Sequence, residues 1–166
     1  LVDDHKLMRE GLRELIDKQM GMDVVAEAAT GQEALKLVRK HEPDVVVMDI
    51  GMPDLNGIEA TRQILRDCPR TAILALSMHS DRRYVTEMLR AGARGYMVKD
   101  AAHTELAQAL NTVSRGQTYL SPTVAGAVVE SHVRHDTPEG EGSAYSILTD
   151  REREMLQLLA EGNTTK

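Results

Sequence analysis

The sequence predicts an α/β fold: a doubly wound, five-stranded parallel sheet. Short apolar, β-branched segments at residues 23–28, 44–49, 71–77 and 95–98 alternate with longer amphipathic stretches, and Leu1-Val2 reads as the stump of an earlier segment of the same kind. The four segments start 21, 27 and 24 residues apart, the length of a strand, a crossover helix and two turns, which implies parallel strands with right-handed connections. Composition agrees: with no Phe, no Trp and only four Tyr, the core must come from Leu, Val, Ile, Met and Ala. That mixture suits a Val-rich buried sheet covered by Leu and Ala helices, with the nine Met residues as core filler.

The helices follow from spacing. Met8, Leu12, Leu15 and Ile16 share one face, as do Leu35 with Val38, Ile58 with Leu65, Val85 with Met88 and Leu89, and Leu106 with Leu110 and Val113. Five strand-helix units result, and helices on both faces of the sheet are the natural closure. Gly92 and Gly95 lack the spacing of a dinucleotide fingerprint and read as the turn into the last strand.

After Gly116 the pattern changes. Ser121-Pro122 is expected to open a short helix through Val133, with Ser as N-cap and Pro at the first helical position. Residues 132–146, with Pro138, Gly140, Gly142 and alternating charges, read as a flexible linker. A new helix is expected after Leu148, where Thr149 and Glu152 have capping-box spacing and Met155, Leu158 and Leu159 supply the apolar face. The expected organisation is thus 1–116, a linking stretch 117–147, and a C-terminal piece 148–166, with residues missing beyond both ends.

Charge and cysteine usage bound the function. A formal charge of −6 argues against strong nucleic-acid binding by this stretch alone, because phosphate neutralisation needs clustered Lys and Arg. The single cysteine, Cys68, cannot form an intramolecular disulfide, and no apolar run has the length of a membrane span. A soluble cytoplasmic protein without membrane contact is expected.

The polar residues that interrupt the apolar strands fall at strand C-terminal ends: Asp3 and Asp4, Asp49, Ser77 and Lys99. In an open parallel sheet that edge binds ligands. Taken singly, each has a plainer reading: Asp3-Asp4 as a strand-end turn and helix cap, Ser77 as a loop hydroxyl, Lys99 as a solvated surface charge. Their joint position at one edge favours shared chemistry. Carboxylates can hold a hard cation such as Mg²⁺, while Lys99 and Ser77 can meet phosphoryl oxygens. Asp49 would then be a nucleophile forming an aspartyl phosphate.

The stretches Leu1-Val2-Asp3-Asp4-His5, Val47-Met48-Asp49-Ile50-Gly51-Met52-Pro53, Leu76-Ser77 and Tyr96-Met97-Val98-Lys99 resemble the receiver motifs of two-component response regulators, over roughly Leu1 to Gly116. The tail from Leu148 to Lys166 resembles the start of a LuxR-type helix-turn-helix, so the whole is similar to the NarL/FixJ class. That resemblance implies a flavodoxin-like receiver followed by the start of an all-α helix-turn-helix domain. It implies that Asp49 accepts phosphate from a sensor histidine kinase, with Asp4 on Mg²⁺ directly, Asp3 through water and the Gly51 carbonyl completing the protein ligands. Ser77 and Tyr96 would be the switch pair: on phosphorylation Ser77 is drawn to the phosphoryl group and Tyr96 turns inward. It further implies a homodimer on phosphorylation and promoter binding through the complete C-terminal domain, which this chain, ending before a second helix of the motif, would not achieve alone.

Two positions depart from the common receiver pattern. Asp100 follows Lys99 where many receivers have Pro, and Met78 is larger than the residue often found beside Ser77, which would narrow access to the phosphoryl group. His5 and His79 lie near the pocket but read as a helix-start polar residue and a loop residue, because hard Mg²⁺ prefers oxygen. Of the rival functions, a phosphatase of the haloacid dehalogenase type would need a second Asp where Gly51 stands. A phosphate-independent interaction module would not need the full set of Asp3, Asp4, Asp49, Ser77 and Lys99. A regulator rather than an enzyme is therefore expected.

Overall fold

The computed structural model describes residues 1–19, 21–78 and 80–126. In chain order the helices are α1 (Lys6–Asp17), α2 (Gly31–His41), α3 (Gly57–Asp67), α4 (Arg82–Arg90) and α5 (Ala102–Ser114). The strands are β1 (Val45–Asp49), β2 (Ala72–Ser77), β3 (Gly95–Val98) and β4 (Tyr119–Leu120), in the spatial order β1-β2-β3-β4 and parallel throughout.

Alternation along the strands produces the two layers, because successive side chains point to opposite faces. Val46, Met48, Ile73, Ala75 and Tyr96 pack with Ala34, Leu35, Val38, Ala60, Ile64, Val85 and Met88 of α2, α3 and α4. Val47, Leu74, Leu76 and Met97 pack on the other face with Leu12 and Ile16 of α1 and Leu106, Ala109, Leu110 and Val113 of α5. Every residue of β2 is buried, as a central strand covered on both faces requires.

The parallel sheet has four strands rather than the five expected, and it differs from the expected set in two places. Residues 23–28 and Leu1-Val2 form no extended ladder; Val2 makes isolated parallel bridges to Ala28 on one side and Met48 on the other. Ala28 N–H donates to Leu1 O at 2.8 Å and Asp49 N–H to Val2 O at 2.8 Å, so Val2 still occupies a strand's place beside β1. The second difference is β4, which has no alternating pattern of its own. It is held by Tyr119 N–H to Arg94 O and Ser121 N–H to Tyr96 O, both 3.0 Å, and by the Tyr119 hydroxyl donating to Glu105 Oε2 at 2.8 Å. Burial, reinforced by the adjacent Glu105 carboxylate, pushes the Tyr119 phenol up to about 12.

Residues 122–126 are helical, with Ser121 at the cap position expected of it. Its carbonyl accepts from Ala125 N–H at 2.9 Å, while its buried hydroxyl has no hydrogen-bond partner among the described residues. The remainder of that helix to Val133, the linker 132–146 and the capped helix after Leu148 lie outside the described residues. Among those described, no helix is long and apolar enough to cross a membrane.

Candidate functional site

Parallel strands put their C-terminal ends on one edge, and the register aligns those ends: Asp49 lies beside Leu76, and Ser77 beside Val98. Val2, bridged to Met48, carries Asp3 and Asp4 to the same edge. Lys99 follows β3 directly, opening the short 3-10 turn Lys99–Ala101. Its Nζ stands 2.7 Å from Asp3 Oδ2 and 2.9 Å from Asp49 Oδ2. Asp3 and Asp49 are 1% and 3% exposed, and Lys99 and Ser77 are buried as well. Burial pulls the Lys99 ammonium down, but its bonds to Asp3 and Asp49 outweigh that and hold it above the ordinary lysine range.

The second oxygens of these carboxylates are also engaged. Asp3 Oδ1 accepts from His5 N–H at 2.8 Å, and Asp49 Oδ1 accepts from Gly51 N–H at 3.2 Å. Arg9 Nη1 donates to the Asp3 carbonyl at 2.5 Å, tying α1 to the same strand end. Ligand atoms of Asp3, Asp4, His5 and Asp49 all lie within 4.8 Å of one another. One buried ammonium stands between the buried Asp3 and Asp49 carboxylates, with the exposed Asp4 carboxylate beside them, so the pocket carries excess negative charge. An oxygen-rich donor set of this kind fits a hard divalent cation. Gly51, expected to supply a carbonyl ligand, is exposed and two residues beyond Asp49.

Ser77 and Tyr96 meet on the α2–α4 side of the sheet. The Tyr96 ring is fully buried in that core. Burial raises its phenol above the ordinary tyrosine range, against the lowering effect of a hydrogen bond with Ser77, and Asp81 and Tyr84 add to the rise. In this structure the Tyr96 ring stands inside the core with Ser77 as a hydrogen-bond partner. Met78, expected to narrow access, is 64% exposed. His79 lies outside the described residues.

Sequence reasoning passed over Gly57. A Cβ there would lie 2.1 Å from the Asp49 carbonyl oxygen and 2.9 Å from Ile50 Cα, so α3 can start against the end of β1 only with glycine at this position. Gly57 N–H donates to Ile50 O at 3.1 Å, and Asn56 caps the helix by accepting from Glu59 N–H at 2.9 Å. The Asn-Gly pair signals a turn, but nothing local says that the turn touches Asp49.

Comparison with known proteins gives a consistent picture. The family described as response regulator receiver domain matches residues 1–111. The transcriptional regulatory protein DegU of Brevibacillus brevis is 36% identical over 100% of this chain and 75% of its own length. The oxygen regulatory protein NreC of Staphylococcus carnosus is 38% identical over 100% of this chain and 78% of its own. Among solved structures, a LuxR-family two-component response regulator from an Aurantimonas strain has a TM-score of 0.77 at 42% identity, covering 80% of this chain and 94% of that one. The signal receiver domain of the putative response regulator NarL from Mycobacterium tuberculosis has a TM-score of 0.66 at 33% identity, covering 70% and 94%.

Proposed function

Because this chain belongs to the two-component response regulators of the NarL/FixJ type, we propose that Asp49 is its phosphoryl acceptor and that Asp3, Asp4, Lys99 and Ser77 serve the transfer. The protein is a phosphorylation-dependent transcriptional regulator. The observation that carries the residue assignment is the buried Asp49 carboxylate, 2.9 Å from Lys99 Nζ and grouped with Asp3 and Asp4 at the sheet edge.

An Asp49 oxygen attacks the phosphorus of a phosphohistidine on a sensor kinase. The new O–P bond forms as the P–N bond breaks, and the histidine leaves with its electron pair. Asp3, Asp4 and Asp49, with the Gly51 carbonyl, would hold Mg²⁺, which when bound offsets the charge on the phosphoryl oxygens. Lys99 lies where it can leave Asp49 for a phosphoryl oxygen, keeping the new anion paired. The Ser77 hydroxyl would exchange its bond with Tyr96 for one to the phosphoryl group, and that exchange alters how Tyr96 is held beneath α4. The proposed output is homodimerisation and promoter binding through a complete C-terminal domain, with residues 1–116 as receiver, 117–147 as connection and 148–166 as the start of the helix-turn-helix. We place this activity in the cytoplasm.

The test is Mg²⁺-dependent labelling with acetyl phosphate. The wild-type chain should gain one phosphoryl group by intact mass, and Asp49→Asn, nearly identical in volume, should gain none while keeping its fold. Equal labelling of the two would overturn the assignment.

A further inference from the structure

We propose that residues 121–126, which follow β4, are seated on the switch itself, and that this seat and a phosphoryl group on Asp49 compete for the Ser77–Tyr96 pair. The proposal rests on the reading of Asp49 as acceptor and Ser77 as switch, and it names the part of the chain that answers to them.

The segment reaches Tyr96 through both backbone and side chain. β4 places Leu120 opposite Tyr96, and Ser121 N–H donates to the Tyr96 carbonyl at 3.0 Å. A helical turn then begins, closed by Ala125 N–H to Ser121 O at 2.9 Å. Val124 is fully buried in the core that holds Tyr96, Val85 and Met88, and Leu120 packs against the same core. Pro122, Thr123 and Gly126 are exposed, so Val124 is the apolar anchor of the segment. The plainer account, that this turn simply finishes the core, leaves one observation unexplained. Ser121 Oγ is fully buried at the cap position with no hydrogen-bond partner among the described residues. An unpaired buried hydroxyl opposes the seat that Val124 burial favours, so a small change beneath the segment can decide whether it stays.

That change is available at Tyr96. Its side chain is held in the core with a hydrogen bond to Ser77, while its carbonyl holds Ser121. When the Ser77 hydroxyl turns to a phosphoryl oxygen, the ring loses this tether and can shift against Val124 and Leu120. Coupling between two sites is reciprocal: the factor by which the phosphoryl group weakens the seat is the factor by which loss of the seat strengthens hold on the phosphoryl group. Val124 is thereby a positioning residue, acting through Tyr96 on Ser77.

The experiment is amide hydrogen exchange on the 166-residue chain in Mg²⁺, with and without saturating beryllofluoride, which mimics a phosphoryl group on Asp49. In the wild type, beryllofluoride should speed exchange at Ser121 and Ala125 about tenfold. In Ser77→Ala it should leave that exchange unchanged. Val124→Ala should exchange these amides fast throughout and bind beryllofluoride about tenfold more tightly, whereas damage to the core alone would weaken binding. Beryllofluoride bound at Asp49 with exchange unchanged, an acceleration that persists in Ser77→Ala, or weaker binding by Val124→Ala would overturn the seat and leave the acceptor standing. No binding by the wild type, or binding that survives in Asp49→Asn, would overturn the acceptor reading and the proposal with it.

Discussion

Replacing Gly57 by Ala tests how the fold positions the acceptor. The added methyl would meet the Asp49 carbonyl oxygen at 2.1 Å and its carbonyl carbon at 2.9 Å. Ordinary contact needs roughly 3.2 Å or more, so one partner must retreat by about 1 Å. Asp49 belongs to a strand paired on both sides, with β2 through Leu76 and with Val2 through the 2.8 Å bond from Asp49 N–H. The first turn of α3 is held at this point by the single bond from Gly57 to Ile50. The helix should therefore yield, at the overpacking cost of about 1–3 kcal/mol. Labelling of Asp49 should escape the roughly 100-fold loss expected if the nucleophile itself moved by 1 Å. Urea unfolding and acetyl phosphate labelling would be measured beside Gly11→Ala, where a Cβ meets nothing within 4 Å. That helix substitution should stabilise by about 0.5–1 kcal/mol. Gly57→Ala as stable as Gly11→Ala would refute the reasoning.

Lys99→Met leaves Asp3 and Asp49 buried without their ammonium. It should lose about 3 kcal/mol in urea unfolding without Mg²⁺ and recover part of that loss with it; a loss that Mg²⁺ leaves unchanged would count against a shared charge balance. Tyr119→Phe removes a phenol whose ionisation is pushed from 10.0 to about 12. A raised folded value stabilises fully below the unfolded one and is lost as pH rises through the folded one, so wild-type stability should fall between about pH 10 and 12. In the variant that part of the decline should be absent, and identical pH profiles would contradict the assignment. Ser77→Ala should leave labelling possible but uncouple it from any change in Tyr96 fluorescence or exchange; a full response in the variant would remove Ser77 from the switch.

The site was legible in the sequence to the extent that its residues break an apolar strand pattern. Asp49, Ser77 and Lys99 each follow a run of Val, Leu, Ile or Met, and the parallel topology inferred from segment spacing then places them on one edge. Legibility ends where position depends on contacts distant in sequence. Residues 23–28 have the composition of a strand, yet their pairing is a bridge from Ala28 to Val2, a partner distant in sequence. Tyr119-Leu120 is too short for alternation to register and becomes a strand through β3 and Glu105. Gly57 matters through its approach to Asp49. The inward Tyr96 follows from its packing in a core with no Phe or Trp, where it is among the largest fully buried side chains.

The most direct measurement of the central claim is chemical mapping of the acceptor. An acyl phosphate, unlike a phosphoester or a phosphohistidine, is reduced by borohydride to an alcohol, which leaves a homoserine in place of the acceptor aspartate. After phosphorylation, borohydride treatment and peptide sequencing by mass, the mark should fall on residue 49 alone. A mark on Asp3, Asp4 or any other carboxylate, or phosphate that resists reduction and maps to a histidine, would contradict the account.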